Sequence, residues 1–128
     1  SEGAGVTGII MSRNTADIYN PKTIRSTMGS IYRVPFMYTE SFCDAADTLK
    51  SRNIKVYAAY LTGSVSYEKC DYRTASAFMI GNEGNGLAYE TAEKADVCIR
   101  IPMEGELESL NAAVSASILV YEAHRQRN

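Results

Sequence analysis

Ile101-Pro102-Met103-Glu104-Gly105-Glu106-Leu107-Glu108-Ser109-Leu110-Asn111 ends a strand-like run at a proline and crosses a short acidic loop. It then enters a helix that closes Tyr121-Glu122-Ala123-His124-Arg125-Gln126-Arg127. The first turn of a helix carries free backbone N–H donors and the positive end of the helix dipole, so it can hold a polar ligand. Upstream, the apolar strand Ala77-Phe78-Met79-Ile80 runs into a glycine-rich loop, Gly81-Asn82-Glu83-Gly84-Asn85-Gly86. Two strand-to-loop-to-helix junctions of this kind predict an α/β chain with one composite site made of loops.

The rest of the chain fits that pattern. Gly5-Val6-Thr7-Gly8-Ile9-Ile10-Met11 reads as a buried strand, and Asn20-Pro21 opens a helix to about Tyr32, with Pro at a first-turn position where its missing N–H costs nothing. Pro35-Phe36-Met37-Tyr38 is a second strand, and Ser41-Phe42-Cys43-Asp44 is a capping-box pattern ahead of a helix to about Arg52. Lys55-Val56-Tyr57-Ala58-Ala59-Tyr60, residues 75–80 and residues 96–101 give three more strands, with a short helix over 87–94. In the last helix, over 110–127, Leu110, Ala113, Val114, Ile118 and Tyr121 recur at three-and-four spacing and predict one apolar face.

Strands alternating with helices predict a mainly parallel sheet with helices on both faces. Such sheets bind ligands at the carboxyl ends of their strands. That rule nominates Leu61-Thr62-Gly63, the loop at 81–86 and the segment at 103–111.

Composition narrows the class. A chain of 128 residues, 45% hydrophobic and 22% charged, fits one globular domain. No apolar run approaches the ~20 residues that cross a bilayer, and the start has no signal-peptide pattern, so no membrane role is expected. Cys43, Cys70 and Cys98 have no CxxC spacing, which argues against zinc and a disulfide framework and for free thiols in a reducing cytoplasm. The net charge of −2 lacks the global basic signature of nucleic-acid binding. Lys22, Arg25 and Arg33 fall in one segment and supply either a local RNA-binding patch or a solvated helix face.

The chemistry-bearing residues each have a structural alternative. The GNEGNG loop is not a dinucleotide GxGxxG and also reads as a tight turn, although Glu83 within it places a carboxylate at a strand end. Ser109 and Asn111 are favoured helix caps, and Glu104, Glu106 and Glu108 suit a positive helix start. His124, the single histidine, sits near a helix C-terminus, where a cationic side chain is comfortable, and no Ser-His-Asp set forms around it.

In order and separation these segments resemble the SpoU (TrmH-like) class of SPOUT RNA methyltransferases. Lys22-Thr23-Ile24-Arg25-Ser26-Thr27-Met28-Gly29-Ser30-Ile31-Tyr32-Arg33-Val34-Pro35 is similar to that family's K-x-x-R-x-S-x-G-A-x-x-x-x-P segment. Thr27 stands where Ser is usual and Ser30 where Ala is usual. Ile80-Gly81-Asn82-Glu83-Gly84-Asn85-Gly86-Leu87 resembles G-x-E-x-x-G-L. Ile101-Pro102-Met103 with Glu108-Ser109-Leu110-Asn111-Ala112-Ala113-Val114-Ser115 resembles I-P-M…E-S-L-N-V-A-V-A, with Ala112 in place of Val.

The resemblance implies an α/β fold with a C-terminal trefoil knot, an exception to the rule that chains avoid knots. It implies S-adenosylmethionine as cofactor, held largely by backbone groups. The first loop would contribute Leu61, Thr62 and Gly63, and the second Gly81, Asn82 and Gly84. The third would contribute Ile101, Met103, Leu110 and Ala112. Glu83, Ser109 and Asn111 would lie beside the target ribose as catalytic residues.

The implied reaction is methyl transfer to a 2′-hydroxyl of rRNA or tRNA, in a cytoplasmic homodimer paired through the knot-region helices. The family's first motif, N-x-G-x-x-x-R, is absent, since the stretch from Asn20 to Arg25 has the wrong spacing. Residues 1–128 are therefore expected to form a catalytic domain lacking its first strand and helix, and with them an arginine. Such a chain alone is expected to methylate poorly. The alternative is a knotted RNA- or nucleotide-binding module without methyltransferase activity.

Overall fold

Short apolar runs become the strands, and their pairings among the described residues are parallel. The computed structural model describes residues 5–12, 34–81, 86–104 and 112–128. Its contacts separate into two units, Ser1–Phe42 and Cys43–Asn128. The helix expected from Asn20-Pro21 lies outside the described residues.

In the first unit, β1 (Ile9–Ser12) and β2 (Phe36–Thr39) pair in register from Ile9↔Phe36 to Ser12↔Thr39. Pro35 has no N–H to offer, and its carbonyl accepts the Ile9 amide at 3.0 Å. Thr39 shapes the turn that follows: its hydroxyl donates to the Ser41 carbonyl at 3.0 Å and accepts the Ser41 amide at 3.3 Å.

Helix α1 (Phe42–Ser51) ends where Asn53 takes φ 64°, a left-handed conformation that Asn tolerates better than most side chains. The Ile54 amide bonds the Leu49 carbonyl and the Asn53 amide the Lys50 carbonyl, both at 3.0 Å. This is a Schellman closure, and it satisfies helix carbonyls that would otherwise lack partners. It turns the chain directly into β3.

The second unit holds β3 (Lys55–Ala59), β4 (Val65–Ser66), a 3-10 turn (Tyr67–Lys69), β5 (Ser76–Met79), α2 (Tyr89–Glu93), β6 (Val97–Arg100) and α3 (Ala112–Arg127). Its four strands lie in the order β4-β6-β3-β5. Neither the two-residue β4 nor the 3-10 turn was legible in the sequence, because so short a strand carries no periodicity. Its pairing with β6, Val65↔Ile99 and Ser66↔Arg100, defines it. β3 and β4 thus flank β6, yet residues 60–64 alone join them.

Central position explains why Val56, Tyr57 and Ala58 are all fully buried, as expected of a parallel strand covered on both faces. Tyr57 and Ile99 point to one face and pack with Tyr72 and with Leu119 and Ala123 of α3. Tyr57 and Tyr72 meet edge to face with centroids 4.8 Å apart, and Phe78 stands 5.2 Å from Tyr72. Ala58 points the other way and packs with Leu87 and with Ala92 of α2.

The expected apolar face of the last helix is corrected here. Leu119 and Ala123 face the core, while Val114 is 46% and Tyr121 50% exposed. Apolar residues from Ile118 to Tyr121 surround the helix, so three-and-four spacing could not select the side that packs. Leu110 lies outside the described residues.

Candidate functional site

Parallel strands begin at one edge of a sheet and end at the other. Because β6, β3 and β5 are neighbours, the segments that follow them all leave from the carboxyl edge. These segments are residues 60–64, 80–81 and 101–104, the places nominated from the sequence.

The first segment is a turn over the end of β6. The Tyr60 amide bonds the Ile99 carbonyl at 3.1 Å, fixing the departure from β3. Leu61 is 56% exposed, an apolar side chain held at the edge, and Thr62 beside it is exposed. Gly63 adopts φ 68°, where a side chain would be strained. The Ser64 hydroxyl donates to the Leu61 carbonyl at 2.8 Å and closes the turn.

Steric exclusion shapes the second segment. A Cβ on Gly81 would stand 2.1 Å from the carbonyl carbon of Gly86 and 2.3 Å from the Leu87 nitrogen. Backbone therefore crosses backbone at the neck of this loop, and only glycine fits at position 81. Leu87, 9% exposed, anchors the exit against Ala58 and Ala92. Beyond it the Tyr89 phenol is raised above its usual range by its hydrogen bond to Glu93 and by that residue's charge.

The third segment starts from the core. Ile101 packs against the Tyr57–Tyr72–Ile99 cluster, Met103 is half-buried, and Pro102 and Glu104 are exposed. Ala112, half-buried, opens α3.

The structure thus brings Leu61, Thr62, Gly63, Gly81, Ile101 and Met103 to one edge. Asn82, Glu83, Gly84, Ser109, Leu110 and Asn111 lie outside the described residues, as do Lys22, Arg25 and Arg33. His124 sits in the last turn of α3, with Tyr121 against its ring at 6.0 Å. Among the described residues, no group of three His, Cys, Asp or Glu could hold a metal ion. No helix among them is long and apolar enough to cross a membrane.

One site contact was missed in the sequence. Arg100, the last residue of β6, donates from Nη1 to the Ser64 carbonyl. An arginine ending a strand carries no motif, and its partner is set by the crossing of residues 60–64 over β6.

A family model described as "SpoU rRNA Methylase family" matches residues 1–121. The chain is 36% identical over 121 residues to a 23S rRNA (guanosine(2553)-2'-O)-methyltransferase of Bacillus subtilis, covering 94% of this chain and 48% of that protein. It is 33% identical to a 23S rRNA (uridine(2479)-2'-O)-methyltransferase of Streptomyces viridochromogenes, covering 99% of this chain and 46% of that one. Among solved structures, the SpoU methyltransferase AviRb of Streptomyces viridochromogenes, in complex with AdoMet, superposes with a TM-score of 0.89 at 32% identity, over 98% of this chain and 52% of that one. An AdoMet-bound rRNA methyltransferase from Sinorhizobium meliloti gives 0.84 at 35% identity, over 97% and 48%. The chain spans about half the length of the relatives it matches.

Proposed function

Because the chain belongs to the SpoU rRNA methylase family, we propose that it carries the catalytic core of an S-adenosylmethionine-dependent RNA ribose 2′-O-methyltransferase. The observation that carries the reading is the convergence of three loops at the carboxyl edge, in a chain whose structural relatives include AdoMet complexes.

The residues present fit the cofactor. An adenine ring needs apolar walls and backbone donors and acceptors along its polar edges. Leu61, Ile101 and Met103, with the backbone of residues 61–63 and 81, offer that kind of lining and no competing charge. When bound, S-adenosylmethionine supplies an electrophilic methyl group on a positively charged sulfur. The chain must do the rest. It must orient the ribose, keep water from the methyl group and take the hydroxyl proton as the new C–O bond forms, since a neutral hydroxyl is a weak nucleophile. We assign Glu83 to accept the proton from the ribose 2′ oxygen, and Ser109 and Asn111 to orient that sugar. Asn82, Gly84, Leu110 and Ala112 complete the cradle, and Lys22, Arg25 and Arg33 meet the RNA backbone.

Four further readings belong with this one. We propose that residues 1–128 belong to one catalytic domain and that its chain is knotted. The knot is supported by β6 lying between β3 and β4, two strands joined earlier in the chain by residues 60–64 alone. We propose a homodimer using α3, which leaves the Tyr121 ring half-exposed. Sedimentation should then give twice the chain mass, and a clean monomer at micromolar concentration would reject it. We place the protein in the cytoplasm, a reducing compartment that suits the free thiols of Cys43, Cys70 and Cys98.

The test is transfer of a labelled methyl group to rRNA or tRNA by a chain that also carries the family's N-x-G-x-x-x-R motif, followed by alkaline digestion. A methylated 2′ oxygen cannot attack its neighbouring phosphate, so the label should survive in an alkali-resistant dinucleotide. Glu83→Ala or Asn111→Ala should lower the rate by ~10²–10³ with cofactor affinity retained. Label on a base, or full turnover in both variants, would reject the assignment.

A further inference from the structure

We propose, resting on the cofactor reading above for its consequence, that Arg100 is a positioning residue whose guanidinium latches the loop at 61–64 and sets the backbone presented to the cofactor. Both ends of this loop are already fixed by backbone. The Tyr60 amide bonds the Ile99 carbonyl at 3.1 Å on one side of β6, and Val65 and Ser66 pair with Ile99 and Arg100 on the other. Between those anchors the tip rises over the strand and carries the exposed Leu61 and a left-handed Gly63.

Two side chains act on that tip. The Ser64 hydroxyl closes it by donating to the Leu61 carbonyl at 2.8 Å. Arg100 reaches it from the strand beneath, donating from Nη1 to the Ser64 carbonyl, with the Ser64 hydroxyl 3.4 Å from the same nitrogen. A guanidinium is a charged donor, and a charged donor binds a carbonyl more strongly than a neutral one. The latch therefore joins the crossing loop to the strand it crosses, by a bond the β-ladder does not need. Its effect is preorganisation: a tip held in one conformation binds without first being ordered.

The consequence separates Arg100 from a residue that only supports the fold. Three variants of the 128-residue chain, Arg100→Ala, Arg100→Lys and Ser64→Ala, are compared by backbone amide NMR relaxation without cofactor and by calorimetry with S-adenosylmethionine. Arg100→Ala should lower the amide order parameters of Thr62 and Gly63 to below about 0.6 while Tyr57 and Ile99 stay near about 0.85. Affinity for the cofactor should fall as well, because a tip that must first be ordered binds less tightly. Arg100→Lys should restore part of both effects, since an ammonium is a point charge without the planar fork. Ser64→Ala should give the smaller loss, because the carbonyl that Arg100 grips remains.

Unchanged order parameters at 61–64 in Arg100→Ala would overturn the latch. A more mobile tip with unchanged affinity would overturn its role toward the cofactor. A parent chain that binds no S-adenosylmethionine would reject the function proposed above, and the order parameters alone would then decide whether Arg100 holds the loop.

Discussion

Where the strands of the four-stranded sheet begin, side chains tie the loops down; where they end, glycine and bare backbone shape the surface. At the beginning edge, Asp96 accepts the Val56 amide at 2.8 Å, and its own amide bonds the Val56 carbonyl. Gln126 at the end of α3 accepts the Tyr72 amide at 2.7 Å and donates to the Cys70 carbonyl at 3.0 Å. Arg127 donates to the carbonyls of Tyr72 and Thr74 at 2.8 and 2.7 Å. At the ending edge stand Gly63, Gly81 and Gly86, with Arg100 and the Ser64 hydroxyl as the side-chain ties of the first loop. The difference divides the labour: one edge secures the scaffold, and the other leaves backbone available to a ligand.

Substitutions in the scaffold should therefore cost stability and spare binding, and those at the other edge should do the reverse. Leu119→Ala empties a fully buried position under the aromatic cluster and should cost about 2–5 kcal/mol, read as a lower urea midpoint. Cofactor affinity of the folded fraction should be unchanged. Gly81→Ala forces a methyl group into the backbone of Gly86 and Leu87. Forced overpacking costs about 1–3 kcal/mol, and the displaced loop should also lose most of its affinity for S-adenosylmethionine. Equal affinity in this variant would show that the ending edge does not hold the cofactor.

Smaller effects are expected at the beginning edge. Gln126→Ala leaves the Tyr72 amide and Cys70 carbonyl without their partner and should cost about 1–2 kcal/mol, again with no change in binding. The smallest effect concerns Asp71, whose carboxyl is lowered from 3.8 to about 2 by hydrogen bonds from the Arg73 side chain and amide. A depressed folded value means stability present above pH 4 and lost as the pH falls toward 2. The pair is exposed, so the loss is slight, and Asp71→Asn should flatten it in urea midpoints taken between pH 5 and 2.

How far the sequence foretold this division follows from the physics of each element. The strands from β1 to β6, apart from β4, were legible because burial demands apolar runs and the breaks demand Pro, Gly or Asn. β4 was not, since two residues acquire strand geometry only from their neighbour. The packing side of α3 was misread because Ile118, Leu119, Val120 and Tyr121 are apolar all round, and only the position of Tyr57 and Ile99 selects Leu119. At the site, the loops themselves were found from parallel topology, including Leu61, Gly63, Gly81 and Ile101. Arg100 was invisible, because its role exists only once the loop at 60–64 crosses β6.

Amide chemical shifts recorded during a titration with S-adenosylmethionine decide whether the carboxyl edge takes that cofactor. The shifts should move at Leu61, Thr62, Gly63, Gly81, Ile101 and Met103 and stay still at Tyr72, Arg73 and Thr74. Movement centred on the beginning edge, or none at saturating cofactor, would contradict this placement.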